Sequence, residues 1–156
     1  MLRTYITNCL MKHSLGTMRN SPEVTAGLTV CSAAALASIN YILKNNLVEH
    51  CAEMSEICRI RLNVMKDKYR DYIGIVSGVG LAWAVIMVRQ GTKDIDCSLA
   101  HDIVAAAMEK GLLMFAPVGD GATLKIVPPL VIGEEALNEA LDTLDESIAQ
   151  VLEARK

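Results

Sequence analysis

Nothing in this 156-residue sequence is apolar for long enough to cross a bilayer, which takes about 18 or more uninterrupted apolar residues. The stretch from Gly74 to Val88 comes nearest, but Ser77 and the glycines interrupt it and Arg89 ends it, so no transmembrane role is expected. The N-terminal "MLRTYITNCLMKHS" has neither a sustained hydrophobic run nor a small-residue cleavage pattern, which argues against secretion and for the cytoplasm. A basic patch is also missing. Net charge is −3 and the lysines and arginines are scattered, so the electrostatic footprint of a nucleic-acid binder is absent. The cysteines at 9, 31, 51, 58 and 97 form no CxxC pair and read as reduced core residues. His13, His50 and His101 form no HxxxH or HxxE pair, so no metal site is expected. There is no GxSxG and no P-loop. "GVGLAW" begins like a dinucleotide fingerprint but has Trp83 where the third glycine belongs and continues as strand, so no helix dipole faces a phosphate.

What the sequence does have is aliphatic surface. Hydrophobic residues make up 52% while aromatics are only 4%, the excess being mainly Ala, Val, Ile, Leu and Met, which suits a chain that buries surface against a partner. Its length suits one core and not two. Residues 1–29 show no period and collect Gly16, Asn20, Ser21, Pro22 and Gly27, which predicts an irregular arm before a domain at 30–156.

Within that domain two helices come first. "VCSAAALASINYIL" is rich in small residues. After "KNN", a break able to cap the second helix, Leu47, Cys51, Met54, Cys58, Leu62, Met65 and Tyr69 alternate steps of three and four. "YIGIVSGVGLAWAVIMV" is β-branched and broken by glycines, predicting an antiparallel hairpin of about 72–77 with 80–88. A helix over "CSLAHDIVAAAMEKG" comes after it, with Leu99, Ile103 and Ala106/Ala107 inward and Gly111 at its end. "LLMFAPV" is expected as a third strand, "GDG" at 119–121 as a tight turn and "TLKIV" as a fourth strand. Pro128 and Pro129 donate no backbone hydrogen bond and must end the ladder. Glu134 and Glu135 then open a last helix whose inward positions are Leu137, Ala140, Leu141, Leu144, Ile148, Val151 and Leu152, to be packed on the sheet. The fold class is therefore α+β: an antiparallel sheet of three to four strands with helices on one face, preceded by two consecutive helices.

No nucleophile–base pair emerges, and the catalytic set is empty. Lys125 is the one polar residue to weigh, since it stands among Leu124, Ile126 and Val127 at a strand end where its amine can face either solvent or a cleft.

"AAALASINYILKNNLVEHCAEMSEICRIRL", "SGVGLAWAVIMV", "EKGLLMFAP" and "LKIVPPLVIGEEALNEALDTLDESI" together resemble, in order and spacing, the C-terminal small domain of class-III, pyridoxal-phosphate-dependent aminotransferases. The resemblance covers about 24–153. It implies amino transfer from an amine or amino acid to a 2-oxo acid, with the Schiff-base lysine, the aspartate on the pyridine nitrogen and most phosphate contacts in a large domain outside this chain. It also implies that the chain alone is no transaminase and binds no pyridoxal phosphate by itself, its partner being that large domain or a second copy. Where the family places an arginine before Pro-Pro-Leu to hold the substrate carboxylate, this sequence has Lys125, which keeps the charge but loses the bidentate fork. The family's Arg-Gly-x-Gly-Leu begins at Ser77, and its later glutamate position is Ile86, so both charges of a pair are replaced together. The family's threonine that reaches the partner subunit's cofactor phosphate corresponds to Thr25 or Thr29, without the Gly-Asn-Pro that accompanies it; "NSP" stands earlier, at 20–22. A second class of function is a stand-alone interaction module that self-associates or docks on a complete aminotransferase, and a third is a small-molecule-binding α+β domain.

Overall fold

The computed structural model describes residues 22–115, 117 and 121–155, with side chains from Val30 onward. Most of the expected arm and of the 119–121 turn lies outside the described residues. The chain divides into two compact units, Met1–Asn45 and Asn46–Lys156.

The described part of the first unit is helix α1, Pro22–Lys44. It begins eight residues before the expected start at Val30. Pro22 suits this position, because its fixed φ and missing N–H cost nothing in a first helical turn. At the other end Asn45 donates to the Tyr41 carbonyl from its backbone N–H (3.1 Å) and from Nδ2 (2.8 Å), satisfying an otherwise free carbonyl. Cys31 is exposed, so the expectation that it is a core thiol does not hold; a helix periodicity alone did not say which face would be covered.

The second unit opens with α2, Leu47–Lys68. Its three-four spacing buries Leu47, Met54, Cys58, Leu62 and Met65, with Cys51 and Tyr69 packed at the margin of the core. Asn46 precedes it in the left-handed region (φ 49°), yet its side chain makes no capping bond, so the expected cap is a backbone turn only. Strands β1, Ile73–Val79, and β2, Ala82–Met87, form the hairpin, and helix α3, Cys97–Glu109, comes next. Strand β3, Thr123–Ile126, pairs antiparallel with β2, giving the order β1-β2-β3. Among the described residues of 112–118 the expected strand is not seen; they make one bridge, Phe115 to Lys125, and Pro117 offers no N–H to extend it.

Helix α4, Glu134–Ala154, closes the unit. It packs chiefly on α3 and α2, and its residues Leu137, Leu141, Leu144, Ile148, Val151 and Leu152 share one core cluster with Trp83, Val85, Met87 and Leu124 of the sheet. Ala140 is only half-buried, while Ser147, absent from the expected inward set, is fully buried. Its hydroxyl donates to the Thr143 carbonyl (2.7 Å), so no polar group is left unpaired there. Arg155 ties the helix end to α3 through Ser98 Oγ (2.8 Å), Asp102 and Asp96. No described helix is long and apolar enough to cross a membrane.

Three groups on or next to α2 make stability fall at alkaline pH. Burial pushes the Cys58 thiol and the Tyr69 phenol up, and the hydrogen bond from Lys68 Nζ to Asp145 (2.7 Å) holds the Lys68 ammonium above the ordinary lysine range. A value raised on folding stabilises below the unfolded value and ceases to as pH climbs through the folded one. The melting temperature should therefore be flat from pH 7 to about 8.5 and fall progressively above it, first from the thiol and then from the phenol and amine. Cys58→Ala should flatten the first part of that fall in a pH series of thermal melts.

Candidate functional site

The register of the sheet arranges the family-related positions in rows. Ser77 lies opposite Ala84, and Ala84 opposite Lys125; one step along, Ile75 lies opposite Ile86, and Ile86 opposite Thr123. Side chains of directly paired residues share a face, and the other face carries Trp83, Val85 and Leu124 into the core. So Ser77 and Ile86 are diagonal neighbours on the outer face, which holds Lys125 as well. No helix of the second unit covers this face: Ile75, Val79, Phe115 and Val127 are all exposed.

Lys125 is exposed and, among the described residues, has no ion-pair partner, unlike Lys68 with Asp145 or Lys110 with Glu146. It is the sole charged residue in the three strands. The prolines perform their expected task, since β3 stops at Ile126 and the chain turns through 130–133 into α4. His50 Nε2 donates to the Ile132 carbonyl (2.8 Å) and pins that turn to α2.

Between β3 with its proline segment on one side and residues 112–115 on the other lies an apolar cleft of about 250 Å³, floored by Leu137, Leu141 and Leu144 of α4. Lys125 is the charged residue among the described ones that line it. No sequence signal marks it, because it exists where an expected strand pairing fails.

Thr25 and Thr29 fall in the backbone of α1, and their side chains are outside the described residues. A pyridoxal-phosphate site needs an amine to bond the aldehyde, a carboxylate for the ring nitrogen and donors for the phosphate. Among the described residues no lysine is buried, and the row through Lys125 holds Ser77, Ala84 and Phe115 with no acid among them. These residues do not fit the cofactor, and no step of its chemistry is built on them.

Within the second unit the helices gather on one face of this antiparallel sheet, and Lys125 is the one charged residue its strands carry. Known proteins give the chain's kind. The family model for class-III aminotransferases matches residues 25–148, and the chain belongs to that family. It is 38% identical over 130 residues to the leucine/methionine racemase of Thermococcus litoralis, covering 83% of this chain and 29% of the racemase. It is 33% identical over 125 residues to the 4-aminobutyrate aminotransferase of Mycobacterium tuberculosis, covering 80% and 28%. Among solved structures, a phospholyase from Arthrobacter in complex with phosphoethanolamine superposes with a TM-score of 0.70 at 28% identity, over 76% of this chain and 28% of that one. The chain thus spans less than a third of the length of these relatives.

Proposed function

We propose that the chain is the substrate-closing small domain of a class-III enzyme, working with a cofactor-bearing large domain in the cytoplasm and inactive in amino transfer without it. The observation that carries the reading is the placement of Lys125. Its ammonium stands on the uncovered sheet face, unpaired among the described residues, at the position where the family holds a substrate carboxylate. Thr25 and Thr29 would serve the cofactor phosphate across a homodimer. Pyridoxal phosphate, when bound by the large domain, supplies the electron sink for the amino group; this chain's share is to orient the carboxylate and exclude water from the closed site.

The named relatives include a racemase and an aminotransferase. One small-domain fold serving both supports the view that the choice of reaction lies in residues outside it. The bare apolar face also favours a second reading, a module that self-associates or docks on a complete aminotransferase, and sizing of the isolated chain separates the two: a stable dimer supports the module.

The test uses the chain co-expressed with the cofactor-bearing portion of a class-III aminotransferase. Lys125→Met should raise KM for a carboxylate-bearing amino donor about tenfold or more, the loss of one charge-assisted hydrogen bond, with kcat little changed. Lys125→Arg should restore or tighten it through the planar fork. An unchanged KM in Lys125→Met would remove the carboxylate role.

A further inference from the structure

Within the second unit, one margin of the sheet is guarded and the other is not. Along β3, Phe115 bridges to Lys125, Lys125 adds a charge, and Pro128 and Pro129 follow with no N–H to offer. Strand β1, at the opposite margin, reads IGIVSGV and carries neither charge nor proline. Its register shift lies between Ile73 and Ile75, which leaves residues 75–79 as a regular run. The hairpin fixes where the amides of that run point. Gly80 and Leu81 alone separate Val79 from Ala82, so this pair exchanges hydrogen bonds, and by alternation so do Ser77 with Ala84 and Ile75 with Ile86. Strand β2 alternates in the same way: the Val88 N–H goes to the Tyr72 carbonyl on the β1 side, and the Met87 N–H to the Ala122 carbonyl on the β3 side (2.8 Å each). Val76 and Gly78 therefore aim N–H and C=O away from the sheet, and among the described residues these groups have no partner. On the outer face beside them, Ile75 and Val79 are 54% and 87% exposed.

We infer that this edge pairs with the same edge of a second copy of the chain, antiparallel about a twofold axis at Ser77. The register follows from the residues. With Ser77 facing Ser77, Val76 faces Gly78, and their outward groups make four N–H···O=C bonds, all inside the regular run. On the outer face Ile75 of each copy then covers Val79 of the other. The two serines meet in a non-hydrogen-bonded pair, where Cα atoms stand about 4.5 Å apart. An axis at Val76 would draw the bulge into the ladder, and one at Gly78 would draw in the turn. Because β1 carries no charge, the twofold brings no like charges together. Five residues a side are few against the roughly 1,200 Å² of a standard interface, so the dimer should dissociate on dilution. The pairing gives self-association, the second reading above, a surface, and it uses neither Lys125 nor a cofactor.

The test is sedimentation equilibrium of the full chain at low salt, from micromolar to near-millimolar concentration. Wild type should pass from monomer to dimer over that range. Ser77→Lys and Ser77→Glu should each associate at least about tenfold more weakly, because like charges then oppose each other at the axis, and an equimolar mixture of the two should regain wild-type association. Ser77 is exposed, so both variants should keep the wild-type far-ultraviolet circular dichroism. If either does not fold, Val79→Thr, which thins the apolar cover on the outer face, should weaken association in its place. The inference is overturned if wild type stays monomeric at near-millimolar concentration, if the folded variants associate as tightly as wild type, or if the mixture stays monomeric. A dimer unmoved by these substitutions would keep self-association and remove β1 from it. None of these outcomes bears on KM in the co-expressed enzyme, so the proposals fail separately.

Discussion

Gly78→Val should leave no cooperatively folded domain, and Gly78→Ala should cost about 2–3 kcal/mol, at the upper end for overpacking. Gly78 pairs directly with Trp83 on the core face of the hairpin. A Cβ there would meet the Trp83 ring at Cδ2 and Cε3, the latter at 2.7 Å, and the Ala82 carbonyl oxygen at 2.6 Å. The ring cannot swing away cheaply, because Trp83 is buried and its Nε1 donates to the Gly80 carbonyl (2.8 Å). Neither can the backbone, which is held in the ladder with β3 through the Trp83–Ile126 pair. Urea unfolding monitored by tryptophan fluorescence checks this, since the chain has one tryptophan and it sits at the point of the clash.

Leu62→Ala is expected to destabilise by about 2–5 kcal/mol, whereas Ile60→Ala on the same helix should change stability by about 0.5 kcal/mol or less. Leu62 is fully buried in the cluster with Met65 and Cys58, while Ile60 is 49% exposed. The deleted methyl groups of Leu62 leave a cavity that the surrounding helices and sheet close only in part. Paired denaturation curves for the two variants read out which face of α2 is inward.

That face was legible in the sequence, because seven apolar positions at steps of three and four can lie together only on one side of a helix. The hairpin and the last helix were legible for the same kind of reason: β-branched runs broken by glycine, and an acidic first turn leading into an aliphatic stripe. The misses have physical causes too. "LLMFAPV" has the composition of a strand, but pairing is decided by a partner and by Pro117, neither of which composition reveals. Ser147 reads as an outward polar residue until its hydroxyl is seen returning to the Thr143 carbonyl, which removes the cost of burying it. Asn46 is a good capping residue by type, yet its left-handed backbone leaves its side chain unused as a cap.

For the candidate site, the sequence supplied Lys125 but not its surroundings. Strand register, which places Ser77, Ala84 and Lys125 in one row, is a tertiary property, since a slip of one residue would turn Lys125 to the other face. The bare outer face and the cleft are likewise consequences of which strands pair and where the helices gather. The family motif raises the expectation of a carboxylate contact at Lys125; the register puts Lys125 in a row with Ser77, Ala84 and Phe115, none of them an acid.

On the proposed reading this chain closes a class-III active site whose cofactor is bonded elsewhere. An absorbance titration of the isolated chain with pyridoxal phosphate puts that reading to its sharpest test. The spectrum of the free cofactor should persist at every ratio. A saturable new band, retained through gel filtration and fixed to one lysine by borohydride reduction, would refute it.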